Sequence, residues 1–249
     1  MTQPRVLDLF CKQGGAGMGY HRAGFEVVGV DLDPQPRYPF TFFQADALGF
    51  LAGGGWKGFD AIHASPPCQG YSIMRNLPWL KDRDYPLLIL PVRTMLEAIG
   101  LPYVIENVAG ARFGAKGLKD RGLEAHGIKA AYLCGGMFGL PMYRHRYFET
   151  PFFWPQPGHP KHRRTIQPGP MFGDRGHAGI AGWEDAQPAM LGHATNGARR
   201  AGANVGHASG VALARAAMQI DWMNRDGLTQ AIPPVMTEYI GRVLMEQLS

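Results

Sequence analysis

A doubly wound α/β fold is predicted for this chain of 249 residues, and three observations predict it. Short apolar runs alternate with helix-sized segments through the first half, a glycine-rich turn follows the first run, and each run closes on a polar or aromatic residue. Strands separated by helices imply right-handed βαβ units and a mostly parallel sheet. In such sheets ligands sit beyond the carboxyl ends of the strands.

Taken in order, "RVLDLF" is a short strand ending in the turn "CKQGGAGMG", and a helix runs on through Ala23. "EVVGVD" is a second strand closed by Asp31. "TFFQAD" and "FDAIHAS" read as the third and fourth, and "PYVIENV" as the fifth, with Glu106 and Asn107 at its end. "YPLLILPVRTMLEAIG" is long enough for a helix that Pro91 must either start or kink. Phe10, Asp31, Asp46, Ser65 and Glu106 therefore fall together at the ligand-binding edge.

After Glu149 the texture changes. "TPFFWPQPGHPKHRRTIQPGPMFGDRG" is rich in proline, glycine and basic residues, and helical signal returns only near Val211. The expected division is a catalytic domain over 1–149, a small basic loop-rich domain over 150–225, and a segment over 226–249 returning to the first domain. That last segment contains "PPVMTEYIGRVLMEQL", an amphipathic helix opened by proline.

The apolar share of 45% is ample for a core. Asp8 interrupts the first apolar run, which excludes a signal peptide, and nothing approaches a membrane span. A soluble, intracellular protein is expected. Cys11, Cys68 and Cys134 are odd in number and widely spread, which suits neither a disulfide framework nor a zinc site, so no metal is expected. The formal charge of +5 permits an anionic partner. Its excess lies between Pro151 and Arg225, where Lys161, Arg163, Arg164, Arg175, Arg199, Arg200, Arg215 and Arg225 face only Asp174, Glu184, Asp185 and Asp221.

Gly14 and Gly15 open a turn that lets backbone approach a ligand at a helix N-terminus, although such turns are common in α/β proteins generally. Asp31 is placed to bind ribose hydroxyls or, equally, to cap a turn. Together they favour a nucleoside-bearing cofactor. In "ASPPCQGYS" two prolines fix the backbone and remove two N–H donors, so Cys68 stands on a rigid bend. Most cysteines without a disulfide are small buried residues. Here the bend follows a strand and Glu106 ends the neighbouring one, which favours a thiolate nucleophile beside a carboxylic acid. Arg144 and Arg146 share a face if extended, and either lower the thiol pKa or hold an anion or carbonyl. The alternative for them is a solvated edge strand.

Those motifs, in that order, resemble the DNA cytosine-5 methyltransferase family. "DLF" with "GG" is similar to its cofactor motif, "PPCQGYS" to its nucleophile motif and "ENV" to its carboxylate motif; "RHR" and "QAIPPVMTEYIG" are similar to its paired-arginine and final motifs. The resemblance covers residues 5–149 and 228–244. The length and "LCGGMFGLPMYRHRYFE" resemble compact phage-borne members. It implies an S-adenosylmethionine-dependent, Rossmann-like methyltransferase acting on double-stranded DNA as a monomer, in a bacterial or phage-infected cytoplasm.

The resemblance further implies that Cys68 attacks C6 of a flipped-out cytosine while Glu106 hydrogen-bonds N3. Arg146, with Arg144, contacts O2 or positions the nucleophile. Asp31 takes the cofactor ribose, Asp46 the adenine amine, and Phe10 packs on the adenine. Gln69, Ser72 and Arg75 touch DNA near the flipped base, and Lys81 and Arg83 belong to the same loop. Recognition falls to 150–225, with Arg163, Arg164, Arg199 and Arg200 on phosphates or guanine edges.

Three positions depart from the family pattern. Lys12 replaces a glycine, Thr229-Gln230 replaces Gly-Asn, and Met142 replaces a glutamine. The first two border the methionine and sulfonium end of the cofactor. A lysine facing a sulfonium would repel it by about 1 kcal/mol or more. It therefore turns to solvent or to the methionine carboxylate, contacts a DNA phosphate, or meets an extra anionic group. Carboxy-S-adenosylmethionine, with Gln230 as an added donor, is the form of the third alternative, and 5-carboxymethylcytosine would be its product. An RNA-directed relative and a catalytically inactive nucleic-acid binder are the rival functions.

Overall fold

The computed structural model describes residues 2–72, 84–112, 114, 121–140, 142, 144–160, 168–169, 177–178 and 211–248. Its body is a seven-stranded sheet in the order β3-β2-β1-β4-β5-β7-β6. The strands are β1 (Arg5–Leu9), β2 (Glu26–Asp31), β3 (Thr41–Gln44), β4 (Ala61–Ala64), β5 (Tyr103–Asn107), β6 (Ala131–Cys134) and β7 (His145–Glu149). The first five are parallel. β7 runs antiparallel to both β5 and β6. All five predicted strands are present. The antiparallel pair was not predicted: the stretch around Arg144 and Arg146 stood only as an edge strand among alternatives, and strand direction leaves no local mark in runs of four or five residues.

The chain winds outward from β1 through β2 to β3, then returns to lay β4 on the other side of β1. That reversal is the point at which an open α/β sheet splays apart and leaves a crevice. Buried strands keep both faces apolar. On β1, Val6 packs into one core cluster with Tyr20, Phe25, Val104, Phe148, Met236 and Ile240. Leu7 and Leu9 pack into the cluster on the opposite face with Val30, Ile62, Leu96 and Ile105.

Helices cover each face. On the first lie α1 (Gly15–Arg22) and the C-terminal α6 (Pro234–Leu248). Their close approach depends on Gly19, where a Cβ would overlap the Thr237 hydroxyl and the Pro234 carbonyl. The second face carries α2 (Ala47–Ala52) and α3 (Ile89–Ile99). Pro91 sits in the first turn of α3, where its missing N–H costs no hydrogen bond. Gly100, at φ 77°, ends that helix in the left-handed cap that glycine favours.

Residues 211–225, expected in the second domain, form α4 (Val211–Met218) and lead into α5 (Arg225–Gln230), which extends into the segment expected to return to the first domain. Ala214, Met218, Met223 and Leu228 share a buried cluster with Leu140 and Met142. The proline-rich start of that expected domain also lies on the sheet: Trp154 meets Phe148 edge-on, and the Tyr239 hydroxyl donates to the Pro155 carbonyl. A two-residue pairing joins β8 (Pro168–Gly169) to β9 (His177–Ala178). Arg75, Lys81, Arg83, Arg163, Arg164, Arg199 and Arg200 lie outside the described residues.

Candidate active site

A cavity of about 860 Å³ runs along the carboxyl edge of the sheet, lined at its various points by Phe10, Lys12, Asp31, Asp46, Ser65, Cys68, Glu106, Arg146 and Gln230. The strand order explains how these distant residues meet. Phe10 and Asp31 terminate β1 and β2 on one side of the crevice. Cys68 and Glu106 follow β4 and lie on β5 on the other side. Because β7 is antiparallel, its start lies at the same edge. With Asn107 opposite Tyr147 and Glu106 opposite Phe148, Arg146 projects beyond the end of β5.

The bend that carries Cys68 is held at both ends. Ser65 N donates to the Leu9 carbonyl, and the Asn107 side chain donates to the Pro66 carbonyl at 2.9 Å. The amides of Tyr71 and Ser72 then close back on the Cys68 carbonyl at 3.0 and 2.9 Å. Gly70 permits the next turn, since a Cβ there would meet Leu87 at 2.6 Å. Gln69 and Ser72 line the same cavity.

Glu106 is buried, with its Oε1 3.0 Å from Nε of Arg146. The angle makes this an ion pair without an aligned hydrogen bond, so Oε1 has no hydrogen-bond donor among the described residues. Burial raises the Glu106 pKa, while Arg146, Arg144 and a hydrogen bond from Ser65 hold it down. Burial likewise raises the Cys68 thiol; Arg146 opposes this, Glu106 adds to it, and Arg144 contributes a smaller lowering. The thiol is thus protonated at neutral pH in this arrangement, with Arg146 as the main influence towards thiolate. Arg144 is the more deeply buried arginine, and its guanidinium donates to the Thr229 carbonyl at 2.6 Å. Its role is to join β7 to the segment before α6, while Arg146 faces the carboxylate.

Ser65 also contacts Nε2 of His63 at 2.7 Å, and Nδ1 of His63 meets the Tyr20 hydroxyl at 3.0 Å. Burial pushes the His63 pKa down to about 3, so the imidazole is neutral. Sequence reasoning set Ser65 at the ligand-binding edge without giving it a role and passed over His63, whose ring is reached only through the contacts of the folded chain.

On the β1–β2 side, Asp31 accepts from the amides of Lys12 and Asp33 at 3.0 and 3.1 Å. The Lys12 ammonium lies 3.4 Å from Asp31 and 3.0 Å from Asp33. Lys12 adopts φ 44°, a left-handed conformation that favours glycine. Two carboxylates thus draw the Lys12 ammonium towards the end of β2. Phe10, at φ 58°, lines the cavity as expected. Asp46 lines it too, and its Oδ2 caps α2 by accepting from Gly49 N at 2.7 Å.

Gly14 and Gly15 differ in role. Gly15 lines the cavity, and a Cβ there would strike the Ile232 carbonyl at 2.6 Å. Gly14, at φ 82°, makes room for Pro39 and Tyr38 and is not part of the lining. Two lining residues escaped the sequence reading. Gln13 binds the Asn224 side chain at 2.8 Å and accepts from Trp222 through its carbonyl, tying α5 to the turn. Asp8, midway along β1, accepts from the Tyr38 hydroxyl at 3.1 Å through Oδ2, while its Oδ1 has no partner among the described residues. Burial lifts the Asp8 pKa to about 7.

Relatives of this chain carry names that fit the geometry. It is 33% identical over 129 residues to the type II methyltransferase M.XorII of Xanthomonas oryzae, covering 46% of this chain and 30% of that protein. It is 26% identical over 192 residues to the type II methyltransferase M.AquIA of Picosynechococcus, covering 63% and 77%. The chain is a relative of the type II methyltransferases. That kinship is consistent with the DNA cytosine-5 methyltransferase family which its motifs resemble. A shorter match, 35% identical over 94 residues, relates it to the 23S rRNA (uracil(1939)-C(5))-methyltransferase RlmD of Pseudomonas putida, covering 32% and 21%. Among solved structures, the Dnmt2 methyltransferase of Schizosaccharomyces pombe is 18% identical, with a TM-score of 0.42 over 60% of this chain and 49% of that one. No family model matches the sequence. The chain thus spans less than a third of M.XorII and about three quarters of M.AquIA. No described helix is long and apolar enough to cross a membrane.

Proposed function

We propose that the chain is a DNA cytosine C5 methyltransferase acting on a flipped-out base through a covalent adduct with Cys68. The observation that carries this reading is one cavity lined by Cys68, the Glu106–Arg146 pair and Asp31. The donor set fits S-adenosylmethionine. Asp31 offers a buried carboxylate to ribose hydroxyls, Phe10 an aromatic surface to adenine, and Asp8 Oδ1 an acceptor for a cationic group. When bound, that molecule supplies an electrophilic methyl group.

The protein's own residues supply the rest. Cys68, as thiolate, adds its electron pair to C6 of the cytosine. Glu106 donates a proton to N3 from its protonated oxygen, while Oε1 accepts from the exocyclic amino group. The ring electrons displaced towards N3 leave C5 nucleophilic. Once C5 carries the methyl group, water takes the C5 proton, Cys68 leaves as thiolate, and N3 returns its proton to Glu106, which restores the neutral aromatic ring. Arg146 neutralises the negative charge that Glu106 and Cys68 share, and the bend at Pro66 and Pro67 fixes the approach of sulfur. Because C6 is inaccessible in a stacked duplex, the base must leave the helix. Residues 161–210 contain most of the basic side chains between 151 and 225 and are proposed to hold the DNA, with binding that weakens steeply as salt rises.

The carboxymethyl alternative rests on Lys12 and Gln230, and the ion pairs of Lys12 with Asp31 and Asp33 favour methyl as the transferred group. The test supplies duplex DNA with S-adenosylmethionine and its carboxy analogue together, followed by mass spectrometry of the nucleosides. The expected product is 5-methylcytosine. Carboxymethylcytosine, lost on Lys12→Gly, would instead make Lys12 the determinant of donor choice. Modification of RNA in preference to duplex DNA would move the reading to an RNA-directed enzyme. Absence of a trapped adduct on 5-fluorocytosine DNA would indicate an inactive binder.

A further inference from the structure

A second group of ligating side chains lies at the edge of the sheet, and the proposed reaction makes no use of it. Cys134 ends β6 and pairs directly with His145 at the start of β7, so both side chains leave the same face of the antiparallel pair. The chain after β7 then turns back. Trp154 packs on Phe148, the Gln156 side chain accepts from the Tyr132 amide at 3.4 Å, and His159 arrives beside the other two residues. The Nε2 atoms of His145 and His159 stand 3.0 Å apart, and one ligand atom from each of the three residues lies within 4.8 Å of the others.

We propose that Cys134, His145 and His159 bind a zinc ion, with water at the fourth position. The donor chemistry supports this. One thiolate and two imidazoles suit a borderline-soft divalent ion, and three protein donors with one open position make a recognised tetrahedral set. Zinc bonds of about 2.0–2.3 Å would place neighbouring donor atoms about 3–4 Å apart, close to the spacing already present. Burial raises the Cys134 pKa; backbone amides of Gly136 and Arg144, which both donate to its sulfur, oppose this and hold the sulfur in place beside the imidazoles. Tyr132 packs its ring on both imidazoles, at centroid distances of 5.6 and 5.5 Å, and fixes their orientation. Metal binding replaces the hydrogen bond between the two imidazoles with two coordinate bonds and releases the thiol proton to solvent.

The consequence is mechanical. His145 stands between Arg144 and Arg146, and His159 is among the last residues before the basic segment at 161–210. A zinc ion here clamps the strand bearing the arginines to the chain leading into the proposed DNA-binding segment. The sequence concealed the set, because Cys134, His145 and His159 have none of the short spacings that mark zinc ligands.

The test needs neither DNA nor methyl donor, so it stands apart from the proposed reaction. Full-length protein is dialysed with zinc chloride, freed of excess and analysed for metal by plasma mass spectrometry. Cobalt substitution reports the thiolate through its near-ultraviolet charge-transfer band. The expected result is one equivalent of zinc and a cobalt band that Cys134→Ser abolishes. His159→Ala, at a half-buried position outside the strands, weakens zinc binding at least tenfold and removes the drop in melting temperature that a chelator causes in the parent. Substoichiometric zinc in the folded parent, or equal zinc affinity in parent and His159→Ala, would overturn the proposal.

Discussion

Replacing Arg146 with glutamine keeps most of the side-chain length and a donor but removes the charge from the centre of the site. Arg146 is the largest influence lowering the Cys68 pKa, against a burial that raises it. An opposite charge in contact range is worth about 1–3 pKa units, and each unit changes the thiolate fraction tenfold below the pKa. Below the thiol pKa, Arg146→Gln should therefore form the covalent adduct about tenfold more slowly, or worse.

The sign of the pH dependence is fixed by which form attacks. The thiolate is populated above the thiol pKa, so raising that pKa moves the rising limb of the rate profile to higher pH. The deficit then narrows as pH increases. Glu106 does not reverse this, because losing Arg146 removes an influence that lowers its pKa and so favours the protonated form, which donates to N3. Single-turnover trapping on 5-fluorocytosine duplex DNA across pH reads the limb directly. A uniform loss at every pH, with the limb unmoved, would mean that Arg146 acts by position rather than by charge.

Three further outcomes concern the scaffold. Asp8 has its pKa raised by burial to about 7, so the folded state keeps a proton that the unfolded chain releases from about pH 4 upward. Stability from this group declines as pH climbs through that window. In urea unfolding, Asp8→Asn should gain on the parent by a few kcal/mol between about pH 4 and pH 8, and a constant difference would contradict the burial argument. Glu149→Gln leaves the Arg93 guanidinium, now bound to Glu149 at 2.6 Å, buried without its counter-charge. A loss of about 3–5 kcal/mol is expected, seen as a large fall in melting temperature, and a shift of a degree or two would show that the pair is dispensable. Gly19→Ala forces a methyl into Thr237 and Pro234 and should cost about 3 kcal/mol by separating α1 from α6; an unchanged melting temperature would show that α6 can shift to accept it.

The strands and helices of the first half were legible because their signals are local. Burial on both faces gives β1, β2 and β5 an apolar run, and glycine, proline and terminal carboxylates punctuate them. Cys68, Glu106, Asp31 and Phe10 could be named for the same reason, since each stands at the end of a readable element. Residues whose roles depend on distant partners were not legible in that way. Gln13 contributes through Asn224, and Arg144 acts on the Thr229 carbonyl. Lys12 turns towards Asp31 and Asp33 because their charges lie closer to it than any other acidic group it contacts.

By itself, then, the sequence determined a wound parallel sheet, the carboxyl edge on which its polar residues gather and a cysteine on a rigid bend. All three follow from periodicity and backbone restriction within a few residues. Only the tertiary structure decided that β7 enters antiparallel, so that Arg146 meets Glu106 across the crevice. It also brought 211–230 onto the glycine-rich turn after β1 and set Cys134, His145 and His159 side by side. Those pairings join residues far apart along the chain, and the burial of apolar surface that brings them together leaves no local mark in the sequence.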